Sequence, residues 1–358
     1  MSLLPDADSF RRLADGTSRG PGAATMRLAL ATVAVPYGLV VAARNAAFDH
    51  ALLPRRSAGV PVISVGNLTL GGTGKTPLVA WVVRTLSAAG LRPAVVSRGY
   101  GAAAGATSDE ALELAVVLPD VPHVADRDRV AAARRAAAAG ATAVVLDDGF
   151  QHRRLARDVD IVAIDATDPF GCGRLFPRGL LREPPAGLAR ADAIVLTRSD
   201  TIDQERRAAI RRQVHAACRG REPGVWAEAI HRPVGLRTWD GPRQPLDTLQ
   251  GVRVAGFAAI GNPAAFRRSL ESLGADVVDF RALPDHHAYA PDDLAALGRR
   301  AADVGADLVV TTLKDLVKIR RWELHGLPVA ALEIALEVVA GRAGLEAVMR
   351  RVTGGDDA

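Results

Sequence analysis

The sequence predicts an α/β protein built from a larger parallel-sheet domain and a second, smaller α/β domain. Three observations predict it. Short apolar, β-branched runs alternate with helix-length stretches along most of the chain, the pattern of strands buried on both faces and joined by crossover helices. A glycine-rich turn separates the first such run from the first helix after it. At residues 231–250 three prolines interrupt the helical periodicity, which marks a boundary between the two units.

The chain has 358 residues, enough for two cores. Its net charge of +5 and its pI near 9.7 come mostly from arginine and suit phosphorylated substrates, anionic lipid or nucleic acid. Aromatics are only 4% of the residues, too few for the aromatic-interleaved basic surface of a nucleic-acid binder, so no nucleic-acid partner is expected. Cys172 and Cys218 lack metal-ligand spacing and imply a reducing compartment without a disulfide framework.

Residues 1–27 are polar and glycine-containing and are expected to be an unstructured extension. Residues 28–56 form the next region, beginning with the apolar run Leu28 to Ala43 flanked by Arg27 and Arg44. That run is shorter than the ~20 residues of a membrane span, and Pro36 is expected to interrupt it. A helix lying in a membrane interface fits better, with Arg44, Arg55 and Arg56 meeting anionic headgroups.

Residues 57–230 contain the main domain. Val60, Val62, Ile63 and Val65 form its first strand, and Gly71, Gly72 and Gly74 supply a turn with backbone angles closed to other residues. Backbone N–H groups of such a turn point at phosphate oxygens, Lys75 reaches the terminal phosphates, and the Thr76 hydroxyl joins a Mg²⁺ shell. The usual pattern, GxxxxGK[ST], has its first Gly replaced by Thr69. This is a nucleotide-triphosphate site on a P-loop NTPase-like sheet. Asp109 and Glu110 open a helix as N-terminal acidic residues, where a cap is the ordinary use. The run Ala143 to Leu146 delivers Asp147 and Asp148 to the carboxyl end of the sheet, where a carboxylate can hold Mg²⁺. Gln151, His152, Arg153 and Arg154 follow at once and suggest a substrate mouth. Arg182 and Glu183, in FGCGRLFPRGLLREP, either orient an anionic substrate or metal or form a plain ion pair. Thr197 to Asp200, TRSD, resembles the element with which GTPases read guanine, with Arg198 in place of its Lys. A GTPase switch or metal-insertion NTPase is therefore the alternative reading.

Residues 251–358 form the second α/β unit. Its loop ALPDHHAYAPDD gathers Asp285, His286, His287 and Tyr289 ahead of a helix, and TTLKD follows a later strand.

Taken in order, GNLTLGGTGKTP, SRGYG, SDE, LDDGFQHRRLARDVDIV, FGCGRLFPRGLLREP, GNPAAF, PDHHAY and TTLKDLVK resemble the tetraacyldisaccharide 4'-kinase (lipid A 4'-kinase) family from about residue 28 to the C-terminus. The resemblance implies transfer of the ATP γ-phosphoryl group to the 4'-hydroxyl of a tetraacylated glucosamine disaccharide 1-phosphate, giving lipid IVA. It also implies work at the cytoplasmic face of the bacterial inner membrane; a monomer bound peripherally, with the membrane surface as a partner, is expected. Thr69, Leu70, Gly71, Gly72, Thr73, Gly74, Lys75 and Thr76 match the ATP loop. Asp109 and His286 match a catalytic pair that takes the hydroxyl proton, His287 being the nearest competitor. Thr76, Asp147 and Asp148 match the Mg²⁺ positions, Asp148 first, and Gln151, His152, Arg182 and Glu183 match positions near metal and phosphates. The chain departs from the family's usual GDEP at Ser108 and Ala111, and has Leu313 where Glu is common.

Overall fold

The computed structural model describes residues 7–99, 108–218, 224–239, 241–285 and 287–353. They fall into two compact units: residues 1–231 with 336–358, and residues 232–335. In chain order the first unit opens with helices α1 (Ala7–Asp15) and α2 (Pro21–Asp49), then β1 (Val62–Asn67), α3 (Lys75–Ala88), β2 (Pro93–Ser97), α4 (Asp109–Val117), β3 (His123–Ala125), α5 (Arg129–Ala138), β4 (Ala143–Asp147), β5 (Val159–Asp165), β6 (Ala193–Thr197) and α6 (Gln204–Ala217). Strand β7 (Val225–Arg237) carries the chain across the boundary. The second unit holds β8 (Arg243–Gln244), β9 (Arg253–Ala258), α7 (Pro263–Ser272), β10 (Asp276–Ala282), α8 (Pro291–Asp303), β11 (Leu308–Thr312), α9 (Leu313–Ile319) and β12 (Glu323–Leu324). Strand β13 (Leu327–Ala340) then returns to the first unit, which α10 (Arg342–Arg350) completes.

The sheet of the first unit runs β7-β6-β5-β1-β4-β2-β3 with parallel pairing throughout. Strands β1, β4, β5 and β6 are buried along their whole length because helices cover both faces, which is why they read as continuous apolar runs. Strand β1 lies between β4 and β5, Val65 standing beside both Asp147 and Ile161. That order places the glycine loop after β1 next to the carboxylates at the end of β4, at a point where the connections diverge and ligands collect. The second unit has a parallel sheet, β10-β9-β11-β13, over a core of Leu236, Leu249, Val254, Phe266, Leu270 and Val310.

Three expectations about organisation are corrected. Residues 7–15 and 21–27 are helical, not unstructured. Tertiary contacts order them: Leu13 and Ala14 are buried, the Phe10 ring lies 6.3 Å from that of Phe176, and the Arg178 guanidinium donates to the Ala14 carbonyl at 2.9 Å. Pro36 does not interrupt α2, which is continuous over 29 residues. A proline removes one helical hydrogen bond, and the rest of a long helix carries the loss. The break at 231–250 is not a linker. Its strand residues and Leu236 and Leu249 belong to the second unit, while Leu336, Val338, Leu345, Val348, Met349 and Val352 join the core of the first. Prolines mark turns reliably, but a chain that leaves a core and later re-enters it has no local signature.

Candidate active site

The glycine loop follows β1 directly. Gly71 and Gly74 have φ of 108° and 77°, the left-handed region, so these two need to be glycine on conformational grounds. Gly72 has no such φ, and a Cβ there would meet nothing within 4 Å, so its expected strain is absent. The segment 170–182 braces the loop's rim: Leu70 N–H donates to the Leu180 carbonyl and Arg182 N–H to that of Leu68, each at 2.8 Å. Helix α3 begins at Lys75 with Thr76 as its second residue, so its N-terminal dipole faces the loop.

Lys75 is the hub. Its Nζ lies 3.0 Å from Asn67 Oδ1 and 3.2 Å from Asp148 Oδ1. Asn67 Nδ2 in turn donates to the Thr69 carbonyl at 2.8 Å. Arg182 Nη1 reaches both oxygens of Asp148, at 2.8 and 2.7 Å. Asp148 itself has φ 53°, a strained angle for a residue with a Cβ, and the buried Arg129 secures its carbonyl at 2.8 Å. Burial alone would raise the Asp148 pKa, but Lys75 and Arg182 hold it well below the ordinary carboxylate range. Asp147 differs. Burial pushes its pKa up to about 6, with Asp148 and Glu110 adding to the rise against Lys75 and Arg129.

Asp147, Asp148 and Thr76 offer only hard oxygen donors, the set suited to Mg²⁺. That ion takes one or two carboxylates together with substrate phosphates, not an all-protein cage. Among the described residues no cluster of three or more His, Cys, Asp or Glu forms such a cage. The desolvated Asp147 beside an ionised Asp148 is a pair whose repulsion a cation relieves, so the residues fit the group.

Gln151 and Glu183 are joined in one hydrogen-bonded network. Glu183 is fully buried, and its oxygens accept from Arg190, Asn45 and Gln151 at 2.9 to 3.0 Å. Its partners are thus Arg190, Asn45 and Gln151, while Arg182 pairs with Asp148. Gln151 spans Glu183 and the Asn67 carbonyl, 2.9 Å away. Arg190 also covers the Phe150 ring at 4.5 Å, and Phe150 packs so closely on Gly66 that a Cβ there would come within 2.6 Å.

His152 is kept neutral: burial first, then Arg129 and Arg157, lower its pKa to about 4. The proton therefore binds the unfolded chain, near pH 6.5, before it binds the native one. Native stability is expected to fall as pH drops from about 6.5 to 4. Chemical denaturation of His152→Asn across that range should show a shallower loss; an unchanged slope would remove His152 as the cause.

Asp109 is the first residue of α4. The cap is Ser108, whose hydroxyl accepts from Ala111 N–H at 3.3 Å, so the departure from the family's glycine supplies a helix cap. His286 lies outside the described residues. Its neighbours are held by α9 and α8: Lys314 Nζ is 3.5 Å from Asp285, Lys318 Nζ is 3.4 Å from the His287 carbonyl, and His287 Nε2 is 3.0 Å from Asp293. Sequence reasoning missed Asn67, Arg129 and Arg190. Asn67 alone left a signal, since Asn is unusual at the end of a buried strand.

A family model described as tetraacyldisaccharide-1-P 4'-kinase matches residues 26–353. The tetraacyldisaccharide 4'-kinase of Syntrophus aciditrophicus (strain SB) is 39% identical over 84% of this chain and 87% of its own length. That of Geobacter sulfurreducens is 37% identical over 96% and 98%. Among solved structures, LpxK from Aquifex aeolicus in complex with ATP superposes with a TM-score of 0.72 at 29% identity, covering 92% of this chain and 99% of that one.

Proposed function

This chain belongs to the tetraacyldisaccharide-1-P 4'-kinase family, and we infer from that membership that it transfers the γ-phosphate of ATP to the 4'-hydroxyl of tetraacyldisaccharide 1-phosphate, forming lipid IVA in lipid A biosynthesis. The observation that carries the reading at the level of chemistry is the glycine loop with Lys75 held between Asn67 and Asp148. The alternative of a GTPase switch or metal-insertion NTPase is not favoured, because the family match spans both units.

Phosphoryl transfer requires little covalent work from a protein; it requires placement and charge neutralisation. The loop N–H groups and the start of α3 hold the phosphates, and Lys75 approaches the terminal ones. Arg182 keeps Asp148 ionised and fixes its direction, while Gln151 holds the strand end from which Asn67 meets Lys75. Thr76, Asp148 and Asp147 would hold Mg²⁺, which when bound would neutralise negative charge on the phosphates. Asp109 and His286 are assigned, by the family resemblance, to proton acceptance from the sugar hydroxyl. If they act as a unit, Asp109→Ala and His286→Ala each lower kcat by about 10²–10⁴, and the double variant falls no further than the worse single one. Additive losses would separate their roles.

A peripheral place at the cytoplasmic face of the inner membrane, where ATP is available, is supported by α2. Leu28, Val35 and Leu39, which share one face of the helix, are exposed. The other side of the helix is tied down: Tyr37 OH donates to the Arg182 carbonyl at 2.8 Å, Asn45 meets Glu183, and Arg153 pairs with Asp49. A helix so anchored can lay one face into lipid without crossing it. Replacing Leu28, Val35 and Leu39 by Ser should shift the protein from anionic vesicles to the supernatant in a flotation assay; unchanged partitioning would place the anchor elsewhere.

The deciding experiment is incubation with Mg-ATP and tetraacyldisaccharide 1-phosphate, followed by mass analysis for one added phosphate. Product formed with GTP and not with ATP, or no product at all, would overturn the reading.

A further inference from the structure

The TRSD element, which on sequence grounds resembles a guanine reader, has a different set of partners. Thr197 Oγ1 donates to the Thr73 carbonyl at 2.8 Å, with the Ile164 carbonyl at 3.3 Å sharing the same proton. Arg198 Nη1 donates to the Gly72 carbonyl at 3.2 Å and to the carboxylate of Asp165. Asp165 is itself fixed, its other oxygen accepting from the backbone N–H and hydroxyl of Thr167 at 2.9 and 2.8 Å. Arg198 has φ 53°, an angle that persists in an arginine only where its surroundings enforce it. Beneath the next residue, the buried Nε2 of His231 sits 2.5 Å from where a Gly74 Cβ would be.

These contacts fix two consecutive peptide groups. In a planar trans peptide the C=O of one residue and the N–H of the next point in opposite directions. Tying back the Gly72 and Thr73 carbonyls therefore turns the Thr73 and Gly74 N–H bonds away from β6, outward from the loop. We propose that Thr197 and Arg198 are positioning residues that hold these two N–H groups aimed at the nucleotide phosphates before nucleotide arrives, and that TRSD does not read the base. The inference rests on the ATP reading above and adds to it how the loop is preorganised. Without the two donors each peptide is free to flip, and a flipped peptide presents a carbonyl to the phosphate in place of an N–H. The cost then appears in ATP binding and not in recognition of the lipid.

The test is steady-state kinetics of the full-length protein with Mg-ATP, Mg-GTP and the lipid acceptor, for Thr197→Val, Thr197→Ser and Arg198→Ala. Thr197→Val and Arg198→Ala should each raise KM for ATP by roughly fivefold to tenfold, the size of one lost hydrogen bond. KM for the lipid and the ATP-to-GTP preference should stay unchanged. Thr197→Ser keeps the hydroxyl and should remain within about twofold of wild type. Wild-type KM for ATP in both Thr197→Val and Arg198→Ala overturns the inference while leaving the ATP reading intact. So does a Ser variant as impaired as the Val variant, which would indicate packing, or a changed nucleotide preference, which would indicate base reading. If Thr197→Val does not fold, Arg198→Ala, a half-buried side chain, decides alone. A wild-type chain that does not turn over ATP overturns both readings together.

Discussion

Lys75→Ala is expected to lower phosphoryl transfer by about 10²–10³-fold while the fold survives, the loss typical of removing one preorganised donor from developing negative charge. The native structure limits the collateral damage. Asp148 keeps Arg182 as a partner when the ammonium is removed, and the Asn67 amide keeps its bond to Thr69. The side chain contributes nothing to either hydrophobic cluster of the first unit that flanks the loop. Circular dichroism and the unfolding midpoint should therefore match wild type closely, and the acceptor KM should not move. Full turnover in this variant would end the assignment of the loop to ATP phosphates.

Asp148→Asn is the second large effect, and its contrast with Asp147→Asn carries the information. Asp148 is ionised and holds two cations, so its neutralisation leaves Lys75 and Arg182 facing each other without a counter-charge. A kcat loss of about 10²–10³-fold is expected, together with a higher Mg²⁺ requirement and a stability loss of roughly 1–3 kcal/mol. Asp147 is a buried carboxylate that burial penalises, so Asp147→Asn removes an unfavourable charge. It should be at least as stable as wild type while also raising the Mg²⁺ requirement. Mg²⁺ titrations of activity beside urea unfolding of both variants make the comparison. Equal stability losses would mean that the two carboxylates share the ion pairs, against the geometry.

Much of the proposed site is legible in the amino-acid sequence. The glycine turn, Lys75, Thr76 and the paired aspartates are signalled within a few residues of a strand end, because a phosphate loop needs glycine angles and a sheet delivers its ligands at strand carboxyl ends. Glu183 is legible as present but not as to its role. Its partners Asn45, Gln151 and Arg190 come from three different segments, and no spacing rule connects position 45 with position 183. TRSD misleads for a related reason: the motif describes four residues in a row, whereas what Arg198 does depends on Asp165 and Gly72.

By itself, the sequence determined the α/β class, the glycine loop with its lysine, and the pair of aspartates at a strand end. Each depends on local backbone angles and on apolar periodicity that neighbouring residues dictate. Only the tertiary structure decided that α1 and α2 are ordered, that the last strand and helix complete the first core, that Arg129 secures the Asp148 carbonyl, and that Asn67, Thr197 and Arg198 converge on the loop. Those outcomes depend on burial and hydrogen bonds between residues far apart in the chain, such as the 124 positions between Thr197 and Thr73. Such contacts form only when the sheet has brought their strands side by side.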